Sequence, residues 1–377
     1  MSTRAGTYVR QPSGYRAFVP NPLPPQPILY FDNELIRLLS EANRELGRLD
    51  GAAEVLPNPD LFVATYVKKE AVLSSQIEGT QASLVDLLEF EEEGNINTIP
   101  QDVGEIINYV KAMNYGLDRL NSLPLSLRLI KEIHRILLEN SRGSQRSPGE
   151  FRKTQNWIGP AGCTLNTATF VPPPVPDMLK SMGDLEIFTH EDIELPILAK
   201  VGLVHCQFET IHPFLDGNGR VGRLLITFML CEQKALKRPL LYLSYYFKKH
   251  RSEYYDCLME VRNNGKWEEW LKFFFRGVIE VSKQAIDTAR NIIDLQSEHK
   301  SLVIREVNTP NALKLLDILY YRPVLSIRDA ERDLELSYPT ASNLINKFVD
   351  LGLLKIKNNQ QRYRTFVYTK YLNLLSD

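Results

Sequence analysis

The sequence predicts a mainly α-helical protein with a small C-terminal unit of three helices and a β-hairpin. Apolar residues recur three and four positions apart through most of the chain, which is the period of an amphipathic helix. After residue 310 short helices are followed by alternating segments that are typical of a hairpin. The predicted helices of the larger part cover residues 31–47, 61–78, 103–120, 127–139, 176–189, 195–209 and 267–300.

Composition allows two or three domains and excludes little else. The chain has 377 residues, of which 44% are hydrophobic and 24% charged, enough to bury a full core. Its net charge of −1 gives no general attraction to nucleic acid or membrane. No apolar run approaches the ~18 residues of a membrane span. Residues 1–27 are rich in Pro, Tyr and Arg and predict an extended arm rather than a signal peptide. We therefore expect a cytoplasmic protein without a membrane partner.

Cysteine usage predicts neither a disulfide framework nor a zinc site, because the four cysteines are widely spaced and form no Cys-x-x-Cys pair.

The densest chemistry lies in a twelve-residue run, His-Pro-Phe-Leu-Asp-Gly-Asn-Gly-Arg-Val-Gly-Arg, at residues 212–223. Gly217 and Gly219 can adopt positive φ, so the backbone N–H groups around Asn218 can form an anion nest at a helix start. His212 is the one residue of the run that takes a proton near neutral pH. Asp216 offers oxygen to a magnesium ion that bridges phosphates. The run therefore predicts phosphate chemistry on a magnesium nucleotide.

Two arginines strengthen this prediction. A helix is predicted from Val221, with Arg220 and Arg223 three positions apart on its first turn. Cations at a helix N-terminus oppose the macrodipole at roughly 0.3 to 1 kcal/mol each, which favours an anionic ligand of several charges. The alternative is a Gly-Asn-Gly turn between two helices, with a buried structural histidine and surface arginines.

This run resembles the Fic family signature, His-Pro-Phe-x-Asp/Glu-Gly-Asn-Gly-Arg-x-x-Arg, at every fixed position. The resemblance implies a Fic-type helical bundle and a protein adenylyltransferase that uses ATP and magnesium. His212 would act as the base and Asp216 would hold the metal. The remaining ATP-binding positions implied are Gly217, Asn218 and Gly219 on the α- and β-phosphates, Arg220 and Arg223 on the outer phosphates, and Val221 and Gly222 between them.

A second segment, Ser-Ser-Gln-Ile-Glu-Gly at residues 74–79, resembles the inhibitory motif of the same family. Gly79 is a natural residue to follow a helix C-terminus, which leaves Glu78 near the negative end of the dipole. The resemblance implies that Ser74 opens the motif and that Glu78 pairs with Arg223, which blocks productive ATP binding. Two alternatives stay open, an ordinary solvated glutamate and a residue that aligns water to remove AMP from a modified protein.

Two further segments resemble family features. Thr164 to Val171 predicts a short hairpin with an exposed edge, similar to the flap on which a target segment adds as a strand; a plain surface hairpin is the alternative. Tyr254 and Asn263 correspond to the segment that closes over adenine in relatives, although aromatic residues at helical spacing also occur in cores.

The last part of the chain resembles a winged helix-turn-helix domain, with its turn at residues 335–338 and a hairpin turn at residues 358–359. Residues 310–377 carry ten Lys or Arg and seven Asp or Glu, a net of +3, so contact with DNA and contact with a protein or a second copy stay equally open. The predicted recognition helix bears Thr340, Ser342, Asn343, Asn346 and Lys347.

The predicted domains are an N-terminal arm and helix (1–60), a Fic catalytic domain (61–280) whose inhibitory helix covers 61–79, a connecting helix or linker (281–309) and the winged helix domain (310–377). The main hypothesis is an autoinhibited enzyme that transfers AMP to a Ser, Thr or Tyr hydroxyl of a target protein and of itself. A DNA-binding regulator that uses the Fic-like body as a nucleotide sensor is the alternative. A homodimer is compatible with either.

Overall fold

A computed structural model describes residues 2–54, 59–93, 99–141, 143–357 and 364–376. The prediction of a mainly helical fold is confirmed, and short strands form small antiparallel sheets. In chain order the elements are β1 Ser2–Thr3, β2 Gly6–Arg10, β3 Arg16–Pro20, α1 Asn33–Glu54, α2 Pro59–Ile77, α3 Leu84–Glu93, α4 Gln101–Arg119, α5 Leu127–Leu137, α6 Val175–His190, α7 Ile197–Ile211, α8 Asn218–Glu232, α9 Ser244–Lys249, α10 Arg251–Asn264, α11 Trp267–Glu306, α12 Pro310–Tyr321, β4 Val324–Ser326, α13 Ile327–Asp333, α14 Tyr338–Asp350, β5 Lys355–Ile356, β6 Thr365–Val367 and α15 Thr369–Ser376.

The core is built around α7, which is buried along its whole length after its first residue. An apolar helix that is hydrophobic on all sides has to be covered on all sides. Helices α6, α8, α10 and α11 provide that cover, and α11 also packs against α1. The seven helices predicted by periodicity correspond to α1, α2, α4, α5, α6, α7 and α11. Helices α3, α9 and α10 were not delimited, because each is short or mostly polar on its surface.

The structure of the N-terminal segment differs from the extended arm that the sequence predicts. Residues 2–20 form a three-stranded antiparallel sheet, β1-β2-β3, with Tyr8 opposite Phe18. Phe18 is fully buried and packs against the ring of Phe170. Its backbone N–H donates to the carbonyl of Val171 at 2.9 Å. The expected extended arm is therefore a folded hairpin that is attached to the body of the protein.

The predicted flap also differs from the expectation. The strand pairing is a single antiparallel bridge between Ile158 and Phe170, so the hairpin begins earlier than residue 164. Thr164 lies in the connecting turn, where its N–H donates to Thr167 Oγ1 at 2.9 Å. Because the Val171 carbonyl already accepts from Phe18, the edge expected to be exposed is partly occupied by the N-terminal hairpin.

The C-terminal part contains α12, β4, α13, α14, β5, β6 and α15, with the strands in the order β4-β6-β5. Ser326 caps α13 in a reciprocal capping box with Asp329. The predicted turn lies between α13 and α14, where Glu335 has a φ of +54°. The predicted hairpin turn at 358–359 lies outside the described residues. The winged helix identity and the four-domain division stay predictions.

Helix α14 presents Thr340, Asn343, Asn346 and Lys347 to solvent, whereas Ser342 is half-buried. In the part of the chain that the structure describes, no helix is both long enough and apolar enough to cross a bilayer.

Candidate active site

The loop between α7 and α8 is fixed by hydrogen bonds between its own residues. Helix α7 stops at His212, whose backbone is left-handed with φ +50° and ψ +60°. The side chain of Asn218 then locks the loop, because its Oδ1 accepts from the Phe214 N–H and its Nδ2 donates to the Phe214 carbonyl, both at 2.8 Å. Gly217 adopts φ +76° and allows the chain to enter α8. The sequence run therefore folds into a short, internally bonded turn.

Two expectations about this turn are corrected. Helix α8 begins at Asn218 rather than at Val221, and Gly219 lies in its first helical turn rather than at positive φ. The anion-binding feature is therefore a helix N-terminus more than a nest, since the first N–H groups of a helix have no intrahelical acceptor. Because the Asn218 side chain is bonded to Phe214, the backbone N–H of Asn218 is the group left to contact a phosphate.

His212 is half-buried beside two guanidinium groups. Burial, together with the charges of Arg262 and Arg152, lowers the pKa of His212 to about 3. Its imidazole is consequently neutral at pH 7. A neutral imidazole can accept a proton, which is the state that a general base requires.

Arg152 and Arg262 support this histidine, and the sequence analysis did not identify either of them. Arg152 is 1% exposed and its Nε donates to the His212 carbonyl at 3.1 Å. Arg262 on α10 donates to the Glu209 carbonyl and to Thr210 Oγ1, each at 3.1 Å. A lone arginine in a turn or on a helix gives no periodic signal, so only the structure connects these two to the site.

A hydrogen bond from His134 fixes the backbone of Asp216. Gly149 N–H donates to His134 Nδ1 at 2.8 Å, so the other ring nitrogen, Nε2, carries the proton and donates to the Asp216 carbonyl at 3.0 Å. The Asp216 carboxylate is 42% exposed and its Oδ1 accepts from the Gly217 N–H at 2.6 Å.

A single exposed carboxylate beside a helix N-terminus fits magnesium, which is usually bound through one or two carboxylates and the substrate phosphates. Within the described residues, no group of three or more His, Cys, Asp or Glu side chains is placed to hold a metal ion. Asp216 would therefore hold the ion together with phosphate oxygens.

Arg223 makes the closest charged contact of the site. Its NH2 donates to Glu78 Oε1 at 2.7 Å and to the Ser74 carbonyl at 3.0 Å, and its Nε donates to Ser74 Oγ at 2.7 Å. Although burial opposes ionisation, the Arg223 charge lowers the pKa of Glu78. The side chain of Arg223 is 2% exposed and that of Glu78 36%. The structure thus brings together the two motifs, 145 residues apart.

Glu78 also lies directly over the first turn of α8. A Cβ atom at Gly219 would collide with Glu78 Oε1, so glycine is required for this contact. The carboxylate consequently sits beside the N-terminal N–H groups of α8, where the positive end of the helix dipole favours an anion. Glu78 and a nucleotide phosphate would compete for this position.

Arg220 points away from Arg223. Its NH1 lies 3.6 Å from Glu105 Oε2 on α4, and its NH2 lies 3.6 Å from Asp216 Oδ1. Its Nε and NH1 are buried, and among the described residues they have no hydrogen-bond partner. Such unsatisfied donors indicate capacity for an anionic ligand, because a buried donor without an acceptor is costly.

Val221 and Gly222 lie within the helix packing. Val221 is fully buried, and the Gly222 carbonyl accepts from His205 Nδ1 at 2.9 Å. A Cβ at Gly222 would collide with Glu209 Oε1. Burial raises the pKa of the Glu209 carboxyl to about 7. These two positions shape the helix rather than face a ligand.

Tyr254 does not fit its predicted contact with adenine. It is 1% exposed and donates its hydroxyl to His205 Nε2 at 2.9 Å, so both the ring and the polar atom are used inside the core. Asn263 is exposed, but its Oδ1 accepts from the Tyr8 hydroxyl of the N-terminal hairpin at 2.9 Å. The neighbouring Tyr255 is 39% exposed and lies close to the Arg251 guanidinium. Burial and the charge of Glu78 raise the pKa of Tyr255, whereas the charge of Arg223 lowers it.

A helix N-terminus with a neutral histidine, an exposed aspartate and two arginines is an arrangement that can bind phosphate, and the Glu78 carboxylate, just after α2, occupies part of it. Comparison with known proteins agrees with this class. The Fic/DOC family N-terminal model matches residues 36–118, and the Fic/DOC family model matches residues 124–230. The chain belongs to the Fic/DOC family.

Similar proteins carry adenylyltransferase names. The chain is 30% identical over 172 residues to the protein adenylyltransferase Fic of Drosophila grimshawi, covering 45% of this chain and 32% of that protein. It is 32% identical over 171 residues to the protein of the same name from Aedes aegypti, covering 44% and 30%. A probable protein adenylyltransferase of Aquifex aeolicus is 28% identical over 181 residues, covering 46% and 51%. The chain thus matches about a third of the length of the two insect relatives.

Solved structures support the fold. A Fic family protein from Desulfovibrio desulfuricans G20 superposes with a TM-score of 0.60 at 20% identity, covering 90% of this chain and 97% of that one. A Fic domain containing signaling protein from Bacteroides thetaiotaomicron gives a TM-score of 0.51 at 18% identity, covering 69% and 97%.

Proposed function

We propose that this protein is an autoinhibited protein adenylyltransferase that transfers AMP from ATP to a hydroxyl side chain of a target protein and of itself, and releases pyrophosphate. The observation that carries the proposal is the joint placement of His212, Asp216 and the α8 N-terminus, with Glu78 bound to Arg223. The names of the similar proteins agree with it.

In the proposed reaction the target hydroxyl oxygen forms a bond to the α-phosphorus of ATP. The bond from that phosphorus to the bridging oxygen of the β-phosphate breaks, and the electron pair leaves with pyrophosphate. The neutral imidazole of His212 accepts the hydroxyl proton. The α8 N-terminus and Arg220 stabilise charge on the phosphates, and Asp216 would hold magnesium, which supplies further charge neutralisation. Positioning and charge stabilisation provide most of the rate in such transfers.

Inhibition follows from competition for Arg223. While Glu78 is bound to the Arg223 guanidinium, this guanidinium cannot contact the outer phosphates of ATP, and the Glu78 carboxylate repels these phosphates. The buried Arg223 charge is fully paired in this state, with Ser74 supplying two further acceptors. This geometry favours an inhibitory role for Glu78 over the alignment of a water molecule, because a carboxylate engaged with a guanidinium is a weak base.

The target would reach the site along the flap. Asn156 Nδ2, at the start of the flap, donates to the His212 carbonyl at 3.2 Å, which places this segment beside the base. The paired segment at Ile158 and the turn that includes Thr164 would meet an extended peptide of the target. The exposed face of α14 is a second surface, for DNA, for another protein or for a second copy.

The test is incorporation of label from ATP labelled at the α-phosphate, with magnesium, into the wild type, Glu78→Gly and Glu78→Gly/His212→Ala. Glu194→Gly, in an exposed loop, is the matched control. We expect strong self-labelling of Glu78→Gly and none of the double variant, with Glu194→Gly equal to the wild type. Equal labelling of all four proteins contradicts the mechanism. Binding of ATP without labelling of any variant supports a nucleotide sensor instead. Release of AMP from a labelled protein by the wild type, lost in Glu78→Gly, supports a hydrolytic role.

A further inference from the structure

Arg152 is a buried cation that lies outside the twelve-residue run. Its Nε and NH1 donate to the carbonyls of His212 and Thr154 at 3.1 and 3.3 Å, and its NH2 donates to the carbonyl of Pro173. Among the described residues, no carboxylate forms an ion pair with it. Burial lowers the pKa of this guanidinium to about 10. A buried charge that is balanced by carbonyl dipoles alone is costly, which indicates that the charge has a role here.

The guanidinium and the backbone of Arg152 hold two consecutive residues of the catalytic loop. In addition to the bond to the His212 carbonyl, the Arg152 backbone N–H donates to the carbonyl of Pro213 at 2.9 Å. His212 is a non-glycine residue at φ +50°, a conformation that persists only when its surroundings fix it. Asn156 adds a third bond, to the same His212 carbonyl.

The charges that face His212 come from four elements. Arg152, just before the flap, and Arg262 from α10 favour the neutral ring, whereas the Glu78 carboxylate, just after α2, and the Glu209 carbonyl from α7 favour the protonated ring. Arg262 is itself fixed, since its guanidinium lies 3.9 Å from the centre of the Phe170 ring. The two arginines therefore oppose protonation of the histidine from two sides.

We propose that Arg152 is a positioning residue for His212. The Arg152 guanidinium fixes the backbone of His212, and its charge keeps the His212 imidazole unprotonated. The catalytic part of this inference rests on the proposed function. Its electrostatic part concerns the histidine alone and does not depend on which reaction the site performs.

The first experiment is an NMR titration of the His212 ring in the full chain, assigned by loss of the signal in His212→Ala. The variants are Arg152→Met, which removes the charge and the hydrogen bonds, and Arg152→Lys, which keeps the charge. Arg128→Met, on the exposed face of α5, is the control. We expect the titration midpoint to rise by about one pH unit in Arg152→Met and to stay unchanged in Arg152→Lys and in the control. An unchanged midpoint in Arg152→Met overturns the electrostatic role.

The second experiment measures labelling kinetics in the Glu78→Gly background. We expect both Arg152 variants to lower kcat by roughly 10- to 100-fold with the KM for ATP unchanged, because the base is displaced and the phosphate site is not. If Arg152→Met does not fold, Arg152→Lys decides, and an unchanged kcat overturns the positioning role. Absence of labelling in Glu78→Gly itself contradicts the proposed function, and the titration then still tests the electrostatic role.

A different observation concerns the back of α2. The C-terminal part of the chain packs against the helix that carries Glu78. Tyr371 on α15 is 1% exposed and hydrogen-bonds Thr65. Hydrogen bonds from Ser83 lower the pKa of the Asp86 carboxyl on α3, and the charge of Lys357, just after β5, lowers it further. One cavity is lined from both sides, by Lys68, Leu88 and Glu91 of α2 and α3 and by Tyr321, Arg322, Pro323 and Val324.

The same C-terminal part is fixed to the long helix α11. His299 Nδ1 and the Tyr368 hydroxyl lie 2.6 Å apart, and the hydroxyls of Tyr368 and Tyr320 lie 2.9 Å apart, all of them buried. Thr65 and Ser74 are separated by about 13 Å along one helix. Because both residues lie on one continuous helix, a displacement of α2 at Thr65 would also move the contact with Arg223.

We infer that packing of the C-terminal part on α2 sustains the contact between Glu78 and Arg223, so that displacement of the C-terminal part from α2 activates the enzyme. The activation rests on the proposed function, whereas the restraint on α2 can be measured separately.

The test is amide hydrogen exchange of the full-length wild type, Tyr371→Ala and a control, Tyr338→Ala, at an exposed tyrosine of α14. We expect the amides of residues 72–79 to exchange about tenfold faster in Tyr371→Ala, with α8 still protected and with the control unchanged. Unchanged protection of residues 72–79 in Tyr371→Ala overturns the inference.

Labelling provides the second measurement. Tyr371→Ala is expected to raise self-labelling and to add nothing in the Glu78→Gly background, since both changes release the same arginine. An equal increase in both backgrounds overturns the link to Glu78. If Glu78→Gly shows no labelling, the proposed function fails, and the exchange measurement still decides the restraint on α2.

Discussion

The loop between α7 and α8 and the C-terminal end of α2 are held in different ways. The loop is fixed by bonds within itself and to Arg152, and Phe214 near its centre is fully buried. The end of α2 is held by its bonds to Arg223, by bonds from Lys248 to Gln76 and from Arg251 to the Ile77 carbonyl, and by burial of the Ile77 side chain. The reacting groups are thus assembled in advance, and the inhibitory group is attached by a few polar contacts. Release of Glu78 would expose a site whose reacting groups are already in position.

The largest effect is expected from His212. His212→Ala in the Glu78→Gly background removes the proton acceptor and should lower the labelling rate by roughly 100- to 10,000-fold, as measured by single-turnover transfer from ATP. Binding of ATP, measured by calorimetry, should be nearly unchanged, because the phosphate donors remain. Transfer at more than a tenth of the parental rate would place the base elsewhere.

Asn218→Ala tests whether the loop is locked from within. The change removes both bonds to Phe214 and leaves its buried N–H without a partner, whereas its carbonyl still accepts from Asn156 Nδ2. We therefore expect the free energy of unfolding to fall by about 1 to 3 kcal/mol. Chemical denaturation measures this loss. Asn264→Ala, at an exposed position of α10, is the control and should fall by well under 1 kcal/mol. Similar losses in both variants would remove the contrast between the two regions.

Tyr254→Phe separates a core role from a ligand contact. The lost hydroxyl leaves His205 Nε2 without its donor in a buried site, which should lower the free energy of unfolding by about 1 to 3 kcal/mol. The Kd for ATP in the Glu78→Gly background should not change. A weaker Kd without loss of stability would restore the predicted contact with adenine. Tyr255→Ala is the companion variant and should weaken ATP binding.

The smallest effect is expected at Ser74. Ser74→Ala removes the hydroxyl that accepts from Arg223 Nε, but its carbonyl and Glu78 remain as acceptors. Self-labelling should therefore rise only about two- to fivefold, far less than in Glu78→Gly. Ser75→Ala is a matched control, because Ser75 is equally buried and, among the described residues, its hydroxyl has no hydrogen-bond partner. A rise in Ser75→Ala as large as in Ser74→Ala would mean that the helix is loosened in general.

Much of the site could be predicted because its chemistry is local in sequence. Residues 212–223 form one turn and one helix start, so their spacing determines which groups lie together. The pairing of Glu78 with Arg223 came from a family resemblance, and no spacing rule would have found a contact across 145 residues. The conformation of Gly219 was wrong because α8 begins three residues earlier than its apolar pattern.

Other parts depend on contacts that leave no periodic trace. The N-terminal hairpin was taken for an extended arm, because its strands become stable only when Phe18 is buried against the flap. Tyr254 and Tyr255 are neighbours on α10, and a sequence cannot tell which of them faces the core when both sides of the helix are aromatic. Arg152 has its role only through carbonyls of residues about sixty positions later.

The absence of a side chain at Gly219 has a consequence for how the inhibition depends on conditions. The space that a methyl group would fill receives a carboxylate that is covalently tethered to the same polypeptide as Arg223. A tethered competitor has an effective concentration that is set by chain geometry, so dilution of the protein does not weaken it. The fraction of active molecules in a solution of this protein should accordingly be independent of protein concentration, whereas it should rise with the concentration of ATP.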